Sequence, residues 1–166
     1  MQKINTKKIV EGAVIGALYV VLTLALAPFS FGPVQLRVSE ALCILPVFSK
    51  NATLGLFIGC IISNFIGATM GINLFIDILF GSVATLIGAI FTQKLGPVKI
   101  KNFPAFSFLP PILFNALIIG AELSLFLDSS LAFSYAAFTV GAGELLSVCG
   151  LGIPLYFVVK KMNIFN

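Results

Sequence analysis

Histidine and tryptophan are absent from the 166 residues, and only 10% of the chain is charged. Without histidine there is no imidazole proton relay and no histidine-ligated metal site. A soluble domain carries about 25% charged residues; with so few here, a water-facing globule could not be covered. No Gly-Lys-Ser/Thr phosphate loop occurs, and no serine has an evident base. The chain therefore offers no ATPase and no acyl-transfer chemistry of its own, and it reads as a non-enzyme. Three cysteines, Cys43, Cys60 and Cys149, lie in apolar stretches at no metal-ligand spacing. They read as small buried side chains, so neither a metal nor a cofactor is expected.

What is present is apolar length. Hydrophobic residues make up 59% of the chain, with a mean hydropathy of +1.12. At about 20 residues per span, the length allows five to seven crossings. Six runs stand out: Ile9 to Phe31, Leu36 to Phe48, Ala52 to Met70, Leu74 to Gln93, Phe103 to Leu127 and Leu131 to Val159. The turns between them carry Gly32-Pro33, Ser49-Lys50-Asn51, Gly71-Ile72-Asn73, Gly96-Pro97 and Asp128-Ser129-Ser130. The second run reaches only about 20 Å as an α-helix, less than a bilayer core. Pro154 predicts a kink in the sixth. The basic stretch Met1 to Lys8 precedes a run too long for a signal peptide, so that run reads as a retained first helix. The expectation is an all-α integral membrane bundle of six helices, the second one short, in a single domain over residues 1–166.

The net charge of +4 is no nucleic-acid signal, because the lysines are dispersed between apolar runs. Lys3, Lys7 and Lys8 precede the first run, and Lys50 lies between the second and third. Lys94, Lys99 and Lys101 lie between the fourth and fifth, and Lys160 and Lys161 follow the sixth. All nine fall on one side of a six-helix topology. Basic residues favour the cytoplasmic face, which places both termini in the cytoplasm of a multi-pass plasma-membrane protein.

Charges inside spans are costly and mark candidate functional positions. In this topology Arg37, Glu40, Asn64, Asp77, Glu122 and Glu144 all fall in the outer half or near the midplane, and Asn115 is a further candidate, seven residues before Glu122. That asymmetry predicts a pocket open to the outside. Helical spacing supports convergence: Arg37 with Glu40, Asn115 with Glu122, Gly141 with Glu144 and Ser147, and Asp77 with Gly81 and Thr85 each share a face. Mutual pairing that merely holds the bundle is the alternative reading. It leaves a surplus, because four acids face one arginine. The surplus calls for protonation, hydration or a ligand carrying donors or positive charge.

Small residues form ridges at four-residue spacing: Gly55, Gly59, Ser63 and Gly67 in the third run, and Gly12 and Gly16, beside Ala13 and Ala17, in the first. Such patterns let helices approach closely. The first ridge, near the cytoplasmic end, is a candidate for contact with another subunit.

Six short helices, an outer pocket and a small-residue ridge in the first helix resemble the S components of energy-coupling factor (ECF) transporters. Within that class the chain is similar to the QueT family. The similarity is carried by Gly16-Ala17-Leu18-Tyr19-Val20-Val21-Leu22-Thr23 and, most specifically, by Gly32-Pro33-Val34-Gln35-Leu36-Arg37-Val38-Ser39-Glu40-Ala41-Leu42. Gly55-Leu56-Phe57-Ile58-Gly59-Cys60 with Asn64, and Asp77-Ile78-Leu79-Phe80-Gly81-Ser82 with Ala84-Thr85, add to it.

The resemblance implies uptake of a queuosine precursor, a 7-deazaguanine such as the 7-aminomethyl form, or queuine. It also implies bacterial partners: a membrane T subunit carrying two ATPases, met through an Ala-xxx-Ala pair that Ala13 and Ala17 match. S components of this kind are thought to topple in the membrane to release their load. Carboxylates suit the donor edge of a deazaguanine and its cationic aminomethyl group. Glu40 is the expected reader of that edge, with Arg37 fixing its carboxylate or contacting a ring acceptor. Phe29, Phe31 and Phe75 are candidates for stacking on the ring. Two other functions stay open: a stand-alone proton-coupled carrier of a small cationic or guanine-like solute, using an acid such as Glu144, and a membrane scaffold that binds no small molecule.

Overall fold

The computed structural model describes residues 6–31, 35–127, 132–162, 164 and 165. The protein is all-helical, and no strand occurs among the described residues. Five helical stretches are long and apolar enough to cross a membrane: Thr6–Ala25, Lys50–Thr69, Asp77–Leu95, Ala105–Phe126 and Phe133–Met162. A sixth apolar helix, Val38–Val47, is short.

Helix α1 (Thr6–Ala25) stops earlier than the first apolar run because Pro28 interrupts it. The chain breaks at Leu26 and resumes as one turn, α2 (Ala27–Ser30), with the proline in its first positions, where no N–H is needed. Residues 32–34, within the first loop, and the Asp128-Ser129-Ser130 turn lie outside the described residues.

The short helix Val38–Val47 winds as a 3-10 helix over ten residues. Its bonds span three residues, from Glu40 N to the Arg37 carbonyl and from Phe48 N to the Leu45 carbonyl. Runs of this winding longer than a few residues are uncommon. Here it adds reach: at about 2.0 Å per residue, ten residues cover about 20 Å, where an α-helix would cover about 15 Å. Every residue from Ser39 to Pro46 is buried. The short helix is the centre of the bundle, enclosed by α1, α3 (Lys50–Thr69), α4 (Asp77–Leu95), and the last span.

Ser49 caps α3 by accepting from the Asn51 N–H at 3.2 Å, as short hydroxyl side chains do at helix starts. Pro110 and Pro111 begin α5 (Leu109–Glu122), which continues as a wide turn, Leu123–Leu127. The last span is α6 (Phe133–Leu145), a second wide turn, Leu146–Leu151, and α7 (Gly152–Met162). The kink expected from Pro154 therefore takes the form of a widened turn ending three residues before it. Proline removes a donor and crowds the preceding turn, which the extra residue relieves.

Glycines set the closest approaches. A Cβ on Gly16 would stand 2.9 Å from the Gly55 carbonyl oxygen, and one on Gly59 would stand 2.8 Å from that of Gly16. Gly12 and Gly55 are in equally tight contact. The glycine half of the first ridge is thus spent within the chain, against α3, while Ala13 and Ala17 stay exposed beside it. Between α1 and α3 runs an apolar groove of about 500 Å³ lined by Ala13, Ala17, Val20, Leu54 and Ile58.

The two ends of the bundle differ. Lys50, Lys99 and Lys160 line one cavity of about 460 Å³ at the end where the short helix finishes with Pro46 and Val47. At the opposite end a cavity of about 240 Å³ opens among Phe31, Gln35, Gly71, Asn73, Asp77 and Leu123. Gly71 turns the chain there with φ of +69°, a conformation glycine adopts without strain.

Candidate functional site

Beneath the lysine-poor cavity the structure gathers all seven sequence-selected polar residues, each at most 4% exposed. They form two neighbouring groups. The deeper one centres on Glu40. Tyr19 of α1 donates its hydroxyl to Glu40 Oε1. Cys43, one 3-10 turn along, donates to Oε2 at 2.9 Å, and the Asn115 amide of α5 reaches the same oxygen at 3.5 Å. Glu144 of α6 adjoins both Glu40 and Asn115. Its Oε2 has no partner, and neither does the Ser147 hydroxyl one turn on.

The upper group surrounds Arg37. Its Nε donates to the Ser30 carbonyl at 3.0 Å, and its guanidinium lies over the Phe31 ring at 5.2 Å. Nη2 has no partner. Asn64 of α3 donates to the Asp77 carbonyl oxygen at 2.8 Å, leaving its own Oδ1 unpartnered. Gly81 makes room for this arrangement: a Cβ there would stand 2.6 Å from Asn64 Nδ2 and 3.6 Å from Arg37 Nη1. Asp77, at the start of α4, lines the cavity, and the Glu122 carboxyl is among its neighbours. Both Glu122 oxygens are buried without a hydrogen-bond donor.

Three expectations change at this level. The bonds that hold Glu40 come from Tyr19, Cys43 and Asn115, while the Arg37 side chain bonds to Ser30. Of the three candidate stacking rings, only Phe31 lines the cavity; Phe29 and Phe75 are more than 60% exposed. The cysteines are buried as expected, yet two have polar neighbours: Cys43 donates to Glu40, and Cys60 receives Thr85 Oγ1 at 3.4 Å and Asn64 Nδ2 at 3.5 Å.

Tyr19, Cys43, Cys60 and Thr85 went unselected in the sequence because such residues pass as ordinary packing in an apolar run. Tyr19 alone gave a usable signal, since a phenol in mid-span needs a partner. A converging set of buried donors and acceptors below a small mouth can hold a compact polar solute and strip it of water. Among the described residues, no group of three or more acidic or sulfur side chains is arranged for a metal ion.

No solved structure matches the chain. A stretch of 89 residues, 52% of the chain, is 40% identical to the queuosine precursor transporter QueT of Lactococcus lactis subsp. cremoris, and the match spans half (50%) of that relative. A family model described as QueT transporter matches residues 9–161. That match runs from the first span to the end of the last, and the chain belongs to the QueT transporter family.

Proposed function

We propose that the protein is the substrate-binding membrane subunit of a bacterial importer for a queuosine precursor, a 7-deazaguanine. The family match over residues 9–161 carries this reading. The buried polar groups below the lysine-poor mouth support it. Glu40, Asn115 and Glu144 are proposed to meet the guanidine-like donor edge of the base, with Arg37 and Asn64 near its acceptors and Phe31 against the ring. A carboxylate accepts two hydrogen bonds from such an edge in charge-assisted geometry.

The lysine end is proposed to face the cytoplasm of the plasma membrane, with the binding mouth outside. Energy is proposed to come from an ECF-type T subunit and two ATPases. The exposed alanines Ala13 and Ala17, on the rim of the α1–α3 groove, offer a surface smooth enough for a partner helix. A stand-alone proton-coupled carrier draws support from the unpartnered oxygens of Glu122 and Glu144, and the two readings separate by experiment. Purified protein from cells fed deazaguanines should retain one, identified by mass spectrometry. Uptake should require the ATPase partners and survive a protonophore while ATP is maintained. Retention of no small molecule argues for a scaffold; uptake without ATPases that collapses with a protonophore argues for the carrier.

A further inference from the structure

The cavity of about 460 Å³ at the lysine end is bordered by three lysines from three separate segments: Lys50 at the start of α3, Lys99 in the loop after α4 and Lys160 near the end of α7. None of the six acidic residues of the sequence lines it. Among the described residues no carboxylate pairs with any of the three lysines. Like charges gathered without a counter-ion repel one another, so the arrangement favours an anion between them. Gln93, also in the lining, receives Thr53 Oγ1 on its Oε1 at 3.4 Å, which leaves its NH2 to donate. The floor is the end of the short helix, Pro46 to Phe48. Gly96 closes the end of α4 against it: a Cβ there would stand 3.4 Å from Val47 Cγ1.

The loop that carries Lys99 is shaped rather than slack. Ile100 and Phe103 exchange both backbone hydrogen bonds at 2.9 Å around Lys101 and Asn102, whose φ values are +48° and +64°. Two left-handed residues in succession make the tightest kind of hairpin turn, and lysine adopts that conformation rarely. Lys160 Nζ pins the turn by donating to the Asn102 carbonyl at 3.3 Å, and it lies over the Tyr156 ring at 5.7 Å. The cavity sits where α3 begins, α4 ends and the last span finishes. That is the level of the lipid headgroups, beside the hydrocarbon core. Val98 and Ile100 are about half exposed and alternate with Lys99 and Lys101. Such a segment can lay its apolar side chains on acyl chains and hold its ammonium groups at phosphate depth.

We propose that the lysine cavity binds the headgroup of an anionic phospholipid, with the phosphate among Lys50, Lys99 and Lys160 and the acyl chains running past Val98 and Ile100. Free phosphate carries the same charge but makes no use of the exposed apolar side chains, so the lipid is the better occupant. The inference is independent of the substrate reading.

The test uses the full-length protein in neutral detergent and two lipids with identical chains, phosphatidylglycerol and phosphatidylcholine, with bound lipid counted by native mass spectrometry. The parent should bind phosphatidylglycerol at least about tenfold more tightly, given about fivefold for each lysine near a phosphate. Lys50→Gln, Lys99→Gln and Lys160→Gln combined should abolish the preference, and Lys99→Gln alone should lower it about fivefold. Lys94→Gln, Lys101→Gln and Lys161→Gln combined remove the same charge at the same end, off the cavity, and should keep the preference within about threefold. Unfolding temperatures of both triple variants without lipid should match the parent. Equal losses in the two triple variants overturn the site and leave only diffuse surface charge. Displacement of the lipid by equimolar inorganic phosphate overturns the lipid assignment in favour of a free anion. Equal binding of the two lipids by the parent also overturns it; if the cavity triple variant then loses co-purification with the proposed energising subunits, the lysines meet an acidic segment of a partner instead.

Discussion

Glu40 is the residue most tightly tied into its surroundings, and the tie is costly to cut. Its carboxylate is fully buried and depends on donors from α1, α5 and its own helix. Tyr19→Phe removes one donor without changing the packing volume. It should cost about 1–3 kcal/mol, because a buried acceptor is left without a partner. Thermal unfolding in detergent checks this, with Tyr135→Phe, at an exposed position, expected to stay near the parent. The charged members of the candidate site were legible because a charge deep in an apolar run is costly and stands out. Their neighbours were not, because tyrosine, cysteine and threonine are at home in such runs. Nor was the bonding legible: spacing suggested that Arg37 holds Glu40, and only the fold shows that Tyr19 and Cys43 do.

At the scale of the element, α1 has two small-residue faces, one packed within the chain and one exposed. Gly12 and Gly16 touch α3 backbone to backbone, whereas Ala13 and Ala17 are exposed. Gly16→Leu should therefore destabilise the bundle itself and lower the yield of folded protein, since the facing backbone of Gly55 has no room to yield. Ala13→Leu and Ala17→Leu should leave unfolding temperature and ligand binding near the parent values while reducing co-purification with the proposed energising subunits. A loss of fold in the alanine variants, or unchanged co-purification, would remove Ala13 and Ala17 from the proposed docking surface. The ridge was readable as four-residue spacing, but which half packs within the chain was not, because glycine and alanine are equally small in a pattern. The short second run was readable from its length. Its 3-10 winding was not, since winding follows from enclosure by four neighbours more than from propensity.

The whole molecule has a basic end and an acidic interior nearer the other end, and this polarity was the most legible feature of all. It needed only the order of the runs and the positions of nine lysines. The five long spans and one short helix were likewise readable from hydropathy, although the breaks at Leu26 and at the two wide turns required the proline sterics of a folded chain. The orientation has a direct check. In a Cys149→Ser background, Lys50→Cys and Val98→Cys should resist impermeant thiol reagents added to intact cells and react once the cells are opened; ready reaction from outside would invert the molecule. In the proposed orientation the same charge layout forms an electric dipole along the membrane normal. An inside-negative potential then pulls on the lysine end and pushes on those buried acids that are ionised, a torque that favours the upright pose. Moving one elementary charge through the full field costs about 2.3 kcal/mol per 100 mV. Any motion that lays the molecule on its side must work against that torque, and a resting cell with a collapsed potential would let it turn more freely than an energised one.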